Sequence, residues 1–178
     1  MDLKNGVEIR EYKDEGYRYL RVTDITNNGL QNNSIKRVAV SEIPKRIRLS
    51  KEDILISRSG SLGIVSIVTD EIIDSILSSH IFKVLLNSSL TNPKYIEAFL
   101  RSTIGQFQFF QNNNGGIIPE INQTALKSIQ IIIPPLAKQN KIAECIQDIH
   151  QQVNKLRLKA ELILSETKKE IEQMILEN

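Results

Sequence analysis

Between Lys36 and Lys51 the chain carries six cations, Lys36, Arg37, Lys45, Arg46, Arg48 and Lys51, against the single acid Glu42, and Arg58 follows in "ISRSGSLG". Long cations gathered in this way are suited to contacts with a polyanion, and a guanidinium or primary amide adds planar donors that can read an edge. The acids collect elsewhere, at Asp70, Glu71 and Asp74 and along the C-terminal segment, so one face can meet a polyanion although the net charge is only +2. The other reading of the same residues is a solvated charged face.

Other candidate chemistries fail on spacing. "NPKY" at Asn92–Tyr95 is close to the (N/D)PP(Y/F) motif with which amino-methyltransferases hold a target base. Lys94 replaces the second proline, however, no glycine-rich cofactor loop follows a first strand, and helix capping accounts for Asn92-Pro93. "SRSGSLG" offers Gly60 and Gly63 as a phosphate cradle, but no G-x-x-x-x-G-K-[ST] pattern is present and the loop runs on into a strand. Glu52 and Asp53 are adjacent, which on a strand would send them to opposite sides, and no nuclease-like carboxylate spacing accompanies them. His80 reads either as a residue that contacts a base or phosphate or as ordinary strand surface. Cys145, the single cysteine, reads as a small buried side chain, and with only two histidines no metal site or cofactor is expected.

Composition places the chain among globular proteins. Its 178 residues are 40% apolar and 25% charged, enough for a real core and too apolar for disorder. No apolar run approaches the roughly 20 residues of a spanning helix, and "MDLKNG" has no signal-peptide core, so a cytoplasmic location is expected.

The elements that must position these residues fall into two regions. Residues 1–135 have a strand bias. "YRYLRVTDI" alternates from Tyr17 to Ile25, Asn27-Asn28-Gly29 marks a turn, and "DILIS", "LGIVSIV" and "HIFKVLL" read as further strands. From Asn92 the period changes: Asn92 caps, Pro93 takes the first helical position, and Ile96, Phe99, Leu100 and Phe107 recur at helical spacing. "QNNNGG" closes that helix, and "QIII" reads as a last strand stopped by Pro134-Pro135. The fold class expected is α+β, a mixed-sheet domain followed by a long C-terminal coiled-coil helix.

That helix occupies residues 136–178. Spacings of four and three pick out Ile142, Ile146, Ile149, Val153, Leu156, Ala160, Ile163, Thr167 and Met174, with Glu170 as the charged intruder. The pattern is a coiled-coil seam, with Lys155, Lys159, Glu161, Glu166 and Lys168 lying off it. Leu164 and Ile171 compete for the stripe near the end, as at a stutter. A helix of ~36 residues would be ~54 Å long at 1.5 Å per residue. It must cover its apolar seam either with something outside the domain or by folding back.

Taken together, "YRYLRVTDI", "KEDILISRSGSLG", "NPKYIEAFL" and "INQTALKSIQIIIPPLAKQNKIAECIQDI" resemble the specificity subunit of type I restriction-modification systems over nearly the whole chain. The most specific segment is the last, an I-x-I-P-x-P-x-x-x-Q-x-x-I pattern that joins a target recognition domain to a spacer helix. Ile133-Pro134-Pro135 stands where I-P-[LP]-P is usual, and Lys138 precedes Gln139 where glutamate is common.

The resemblance implies a non-catalytic DNA-reading module: residues 1–135 as the target recognition domain, which reads one half of a bipartite site, and 136–178 as a spacer and dimerisation helix. Double-stranded DNA and DNA methyltransferase (modification) subunits are the implied partners, with restriction subunits as a further candidate. Full-length members have two recognition domains and two spacer helices, so this half-length chain is expected either to pair with itself through the seam or to be a fragment of a larger polypeptide. The residues assigned to DNA are Lys36, Arg37, Lys45, Arg46, Arg48, Arg58, Ser59 and His80, with the loop Asn112, Asn113 and Asn114. The alternative from a different class of function is a coiled-coil assembly or adaptor protein that binds no DNA.

Overall fold

The computed structural model describes residues 2–26, 29–30 and 35–176. It is an α+β structure built on an antiparallel sheet, a mixed sheet and one long helix. The first sheet has the order β1 (Asp2–Asn5), β9 (Ile81–Leu85), β6 (Ile54–Ser57), β7 (Val65–Ile67), all neighbours antiparallel. The second has the order β5 (Lys36–Val38), β2 (Tyr17–Leu20), β8 (Ser75–Leu77), with β2 and β8 parallel. A short ladder pairs β3 (Ile25–Thr26) with β4 (Gly29–Leu30). The turn expected at Asn27-Asn28-Gly29 lies in part outside the described residues, but Thr26 does pair with Gly29.

Alternation explains why "ILIS" is apolar at successive positions. Ile54 and Ile56 face the helices with Phe82 and Val84 of β9, whereas Leu55 faces the second sheet with Ile81, Leu20 and Leu77. A strand covered on both faces gains from burial on each side and does not alternate with polar residues. The second sheet is also covered twice, since Tyr19, Val38 and Ile76 turn away to pack beneath Ile43 and Ile47. Ile47 belongs to a 3-10 turn, Lys45–Ile47, so the middle of the basic stretch is anchored by apolar side chains while its cations point outward.

One charged residue breaks this alternation. Lys83, in the centre of β9, is 4% exposed; its ammonium donates to the Arg48 carbonyl at 2.6 Å and lies 3.5 Å from the carboxylate of Asp53, itself 7% exposed. Asp53 also accepts the Ser50 amide at 2.9 Å. Glu52 and Asp53 thus do not straddle a strand: Glu52 sits exposed in the preceding turn with φ of 71°, and its neighbour turns inward to meet the lysine.

The helix expected after Asn92 forms as two. Asn92 caps α1 (Pro93–Arg101) by accepting the Lys94 and Tyr95 amides. Ser102 then ends it and caps α2 (Thr103–Gln111) through the Gly105 amide. The break resets the helical phase, so Phe109 is buried and Phe107 is exposed, the reverse of one continuous helix. Asn122 caps the single turn and a half of α3 (Gln123–Lys127).

Residues 129–133 form no strand, contrary to their isoleucine-rich composition. Side chains take the place of a ladder: the Gln108 amide donates to the Gln130 carbonyl and accepts from the Gln130 amide, and the Tyr95 hydroxyl donates to the Ile132 carbonyl at 2.7 Å. Ile132 and Ile133 consequently remain exposed.

α4 runs from Leu136 to Leu176, 41 residues. At 1.5 Å per residue it is about 60 Å long. Its first turns rest on α1, where Gln139 and Ala143 are buried and Ile142 and Ile146 are half-buried. From Ile149 onward the seam positions are exposed, Leu156 by 67% and Ile163 by 51%. Cys145, expected to be buried, is exposed, because the packed side of α4 is the 139–143–146 face. Among the described residues no helix is long and apolar enough to cross a membrane.

The buried Lys83–Asp53 pair gives a direct test of this packing. Lys83→Met leaves a carboxylate enclosed with one amide donor, and removal of one partner of a buried pair typically costs ~3–5 kcal/mol. Urea unfolding followed by far-UV dichroism should show a loss of that order; an unchanged midpoint would mean that water reaches the pair.

Candidate nucleic-acid interface

β6 delivers Arg58 just beyond its C-terminal end at Ser57, where two segments distant in sequence converge. The Arg58 amide donates to the His80 carbonyl at 2.8 Å, and the Arg58 carbonyl accepts the Ile121 amide at 2.9 Å. Ser59 forms an antiparallel bridge with Glu120, and the Gly60 amide donates to the Pro119 carbonyl. Gly60 has φ of +81°, a conformation that a side chain would strain, and it lets the chain turn back toward Leu62. The result is a short two-stranded edge between residues 58–60 and 119–121.

The loop that brings Glu120 here is held from within. The Asn113 side-chain oxygen accepts the Gly115 and Glu120 amides, both at 2.9 Å, and the Asn114 amide donates to the Glu120 carbonyl at 2.7 Å. Gly115 permits the closure, since a Cβ there would lie 2.1 Å from the Ile118 carbonyl oxygen. Asn112 is the C-cap of α2, its amide donating to the Gln108 carbonyl and its oxygen accepting the Ser128 hydroxyl.

Arg58 and Glu120 then meet at 2.7 Å, while the guanidinium carbon lies 5.9 Å from the centre of the Phe82 ring. Ser59 Oγ is 2.7 Å from His80 Nδ1. These two side chains open onto a cleft of about 420 Å³ lined also by Arg10, Tyr12, Arg21 and Ile118. Arg21 grips Asp24 with Nε at 2.9 Å and Nη2 at 2.8 Å, and that hydrogen bonding raises its pKa above the ordinary arginine value. Tyr19, on the cleft wall, donates to the Val7 carbonyl and accepts the Ile9 amide; burial pushes its phenol up from the usual range. Lys36 stands at the rim, its ammonium 5.8 Å from the centre of the Tyr12 ring.

Of the residues assigned to DNA from the sequence, only Ser59 and His80 line the cleft; Arg58 precedes Ser59 just outside the lining, Lys36 reaches only the Tyr12 ring, and Asn113 and Asn114 lie in the loop that holds Glu120. Arg37 is exposed on β5 and donates to the Gly16 carbonyl. Lys45, Arg46 and Arg48 are exposed on a separate segment, the turn packed near β1, and are not part of the cleft lining. The cleft residues that the sequence did not single out are Arg10, Tyr12, Arg21 and Ile118, together with Glu120 beside it. Arg21-x-x-Asp24 carried a signal, a cation and a carboxylate at a spacing that pairs in a turn; Glu120 carried none.

Comparison with known proteins supplies the class. The family described as "Type I restriction modification DNA specificity domain" matches residues 2–164, and the chain belongs to that family. The "Type I restriction enzyme EcoBI specificity subunit" of Escherichia coli is 22% identical over 151 residues, 83% of this chain and 29% of that protein. The fold is also that of two solved structures. The type I restriction-modification S subunit from M. genitalium has a TM-score of 0.62 at 21% identity, over 87% of this chain and 38% of that one. The HsdS subunit from Thermoanaerobacter tengcongensis has a TM-score of 0.63 at 17% identity, over 90% of this chain and 45% of that one. The chain thus spans less than half the length of each of these relatives.

The role of Asn113 as the internal brace of the loop has a local consequence. In Asn113→Ala, the Gly115 and Glu120 amides lose their acceptor, and amide hydrogen exchange at both should accelerate about tenfold, the scale of one ordinary hydrogen bond. Exchange that stays at the wild-type rate at both positions would show that the backbone alone holds the loop.

Proposed function

We propose that this chain is the DNA sequence-specificity component of a type I restriction-modification system, and that it reads one half of a bipartite site and recruits DNA methyltransferase subunits. The observation that carries this reading is the family match across residues 2–164. In this reading residues 1–135 contact DNA and 136–178 form the spacer, and the chain performs no catalysis of its own. The cleft between β6, the 112–120 loop and the segment around Tyr12 supplies guanidinium, hydroxyl and imidazole groups, the types that contact base edges and phosphates. The exposed Lys45, Arg46 and Arg48 supply phosphate contacts on a separate part of the surface.

The partner of α4 is a second copy. Ile149, Val153, Leu156 and Ile163 form an apolar stripe that a soluble monomer would leave in water. An antiparallel, twofold pairing covers the stripe with itself and places two heads at opposite ends of a rod about 60 Å long, and identical heads then read an interrupted palindrome. The half-site centres fall on the order of one DNA turn apart or somewhat more, ~34 Å per turn.

Two experiments test these statements. In the complex with methyltransferase subunits, Lys45→Ala with Arg46→Ala should weaken duplex binding and reduce the slope of log K against log salt by up to ~1.8, about 0.9 for each phosphate no longer neutralised. An unchanged affinity and slope would remove both residues from the interface. Separately, Ile149→Glu with Leu156→Glu places unpaired charge in the stripe, and sedimentation should show monomers where the wild-type chain is dimeric. A wild-type chain that sediments as a monomer at high micromolar concentration would end the homodimer reading.

A further inference from the structure

We infer that Arg58 and Glu120 act as one recognition unit, a guanidinium–carboxylate pair that reads a G·C base pair from the major groove. The inference rests on the DNA-reading role proposed above and adds to it a residue, Glu120, and a base-pair preference.

The pair is built differently from an incidental surface ion pair. Both backbones are fixed: Arg58 by the His80 carbonyl and the Ile121 amide, Glu120 by the Asn113 side chain and the Asn114 amide. The two segments are clamped directly beside the pair by the Ser59–Glu120 bridge and the Gly60–Pro119 hydrogen bond. Yet the side chains are 31% and 42% exposed, so the charged ends stay within reach of a ligand. Nη2 of Arg58 donates to Glu120 Oε1 at 2.7 Å, and Nε is enclosed with no acceptor among the described residues. The terminal edge of the guanidinium, Nη1 together with the second hydrogen of Nη2, is what remains for a partner. An arginine held by its own carboxylate and by the Phe82 ring keeps its fork in one orientation and loses little rotamer freedom on binding.

The order of groups matches one base pair. Across the major groove a G·C pair presents two acceptors, guanine N7 and O6, and then a donor, cytosine N4. The Arg58 terminal edge offers two parallel donors, and the Glu120 carboxylate beside it offers acceptors, which is the complementary sequence. An A·T pair is refused at both positions: adenine N6–H faces the guanidinium donors, and thymine O4 faces the carboxylate. Selectivity of this kind comes from repulsion of the wrong pair as well as from attraction of the right one. Arg58 alone would favour guanine; Glu120 is the residue that adds rejection on the pyrimidine side.

The test uses the full chain in complex with methyltransferase subunits and a randomised duplex library, with the bound pool sequenced. Wild type should show one G·C position in each half-site. In Arg58→Lys, which keeps the cation and loses the fork, the preference there should fall about tenfold, the scale of one bidentate contact, while other positions keep theirs. In Glu120→Gln, whose amide can both donate and accept, A·T should gain specifically at that position. Preferences unchanged at every position in both variants would reduce the pair to a loop clamp and overturn the inference, as would a uniform loss of preference at all positions. A wild-type pool with no enrichment anywhere would instead overturn the DNA-reading role itself.

Discussion

The side chain of Gln139 is the point on which the arrangement of head and helix depends. It is fully buried, and its amide is saturated: Nε2 donates to the Leu90 carbonyl at 3.0 Å and to the Pro134 carbonyl at 2.8 Å, while Oε1 accepts the Asn92 amide at 2.9 Å. Three segments meet at one group, the end of the strand region, the cap of α1 and the entry to α4. A buried primary amide with its partners satisfied is stabilising, but one left with a partner missing costs more than an apolar residue would. Substitution here would disturb the direction in which α4 leaves the head as well as its attachment. The surrounding contacts agree with that direction, with Asn92 bonded to Asn140 and Lys94 to Gln147 along the next two turns. This gives a physical reason for a glutamine four residues after Pro135 in this chain.

The same economy of polar groups organises other parts of the head. Lys83 ties the basic segment to the sheet through the Arg48 carbonyl and Asp53, and Asn113 ties the Glu120 loop to itself. In each case one polar side chain fixes the backbone of a segment that carries charged residues outward. The apolar core alone would allow these segments to slide, since burial is not directional. Hydrogen bonds to named carbonyls and amides set where the cations stand relative to β6 and β9.

Much of the fold is legible in the sequence, and the features that are not share a cause. Asn92-Pro93 declares a helix start because capping is local chemistry, and the mixed strand region and long terminal helix follow from periodicity. The break at Ser102 is hidden because Phe107 happens to continue the helical spacing, although Ser102 three residues before Gly105 is itself a capping arrangement. Residues 129–133 look like a strand because isoleucine favours strands, but that preference depends on a neighbour to pair with, and Gln108 and Tyr95 occupy the backbone groups instead. On the candidate interface, the clustering of cations points to Arg58 but not to the carboxylate that holds it, because the Arg58–Glu120 contact joins positions 62 residues apart. The split between the cleft and Lys45–Arg48 is equally invisible, since it is set by which apolar residues of the basic stretch turn inward.

The attachment of α4 at a single end also sets how that helix comes into being. Beginning a helix is unfavourable because several residues must be ordered before the first hydrogen bond repays them, while extension adds a bond with each residue. The head supplies an ordered first turn through Gln139, Ala143 and their neighbours, so α4 starts from a template and grows away from it. Its order is therefore graded along its length, firm beside α1 and most easily frayed toward Leu176. Helix formation at the far end then depends least on the head, because no packed turn supports it there.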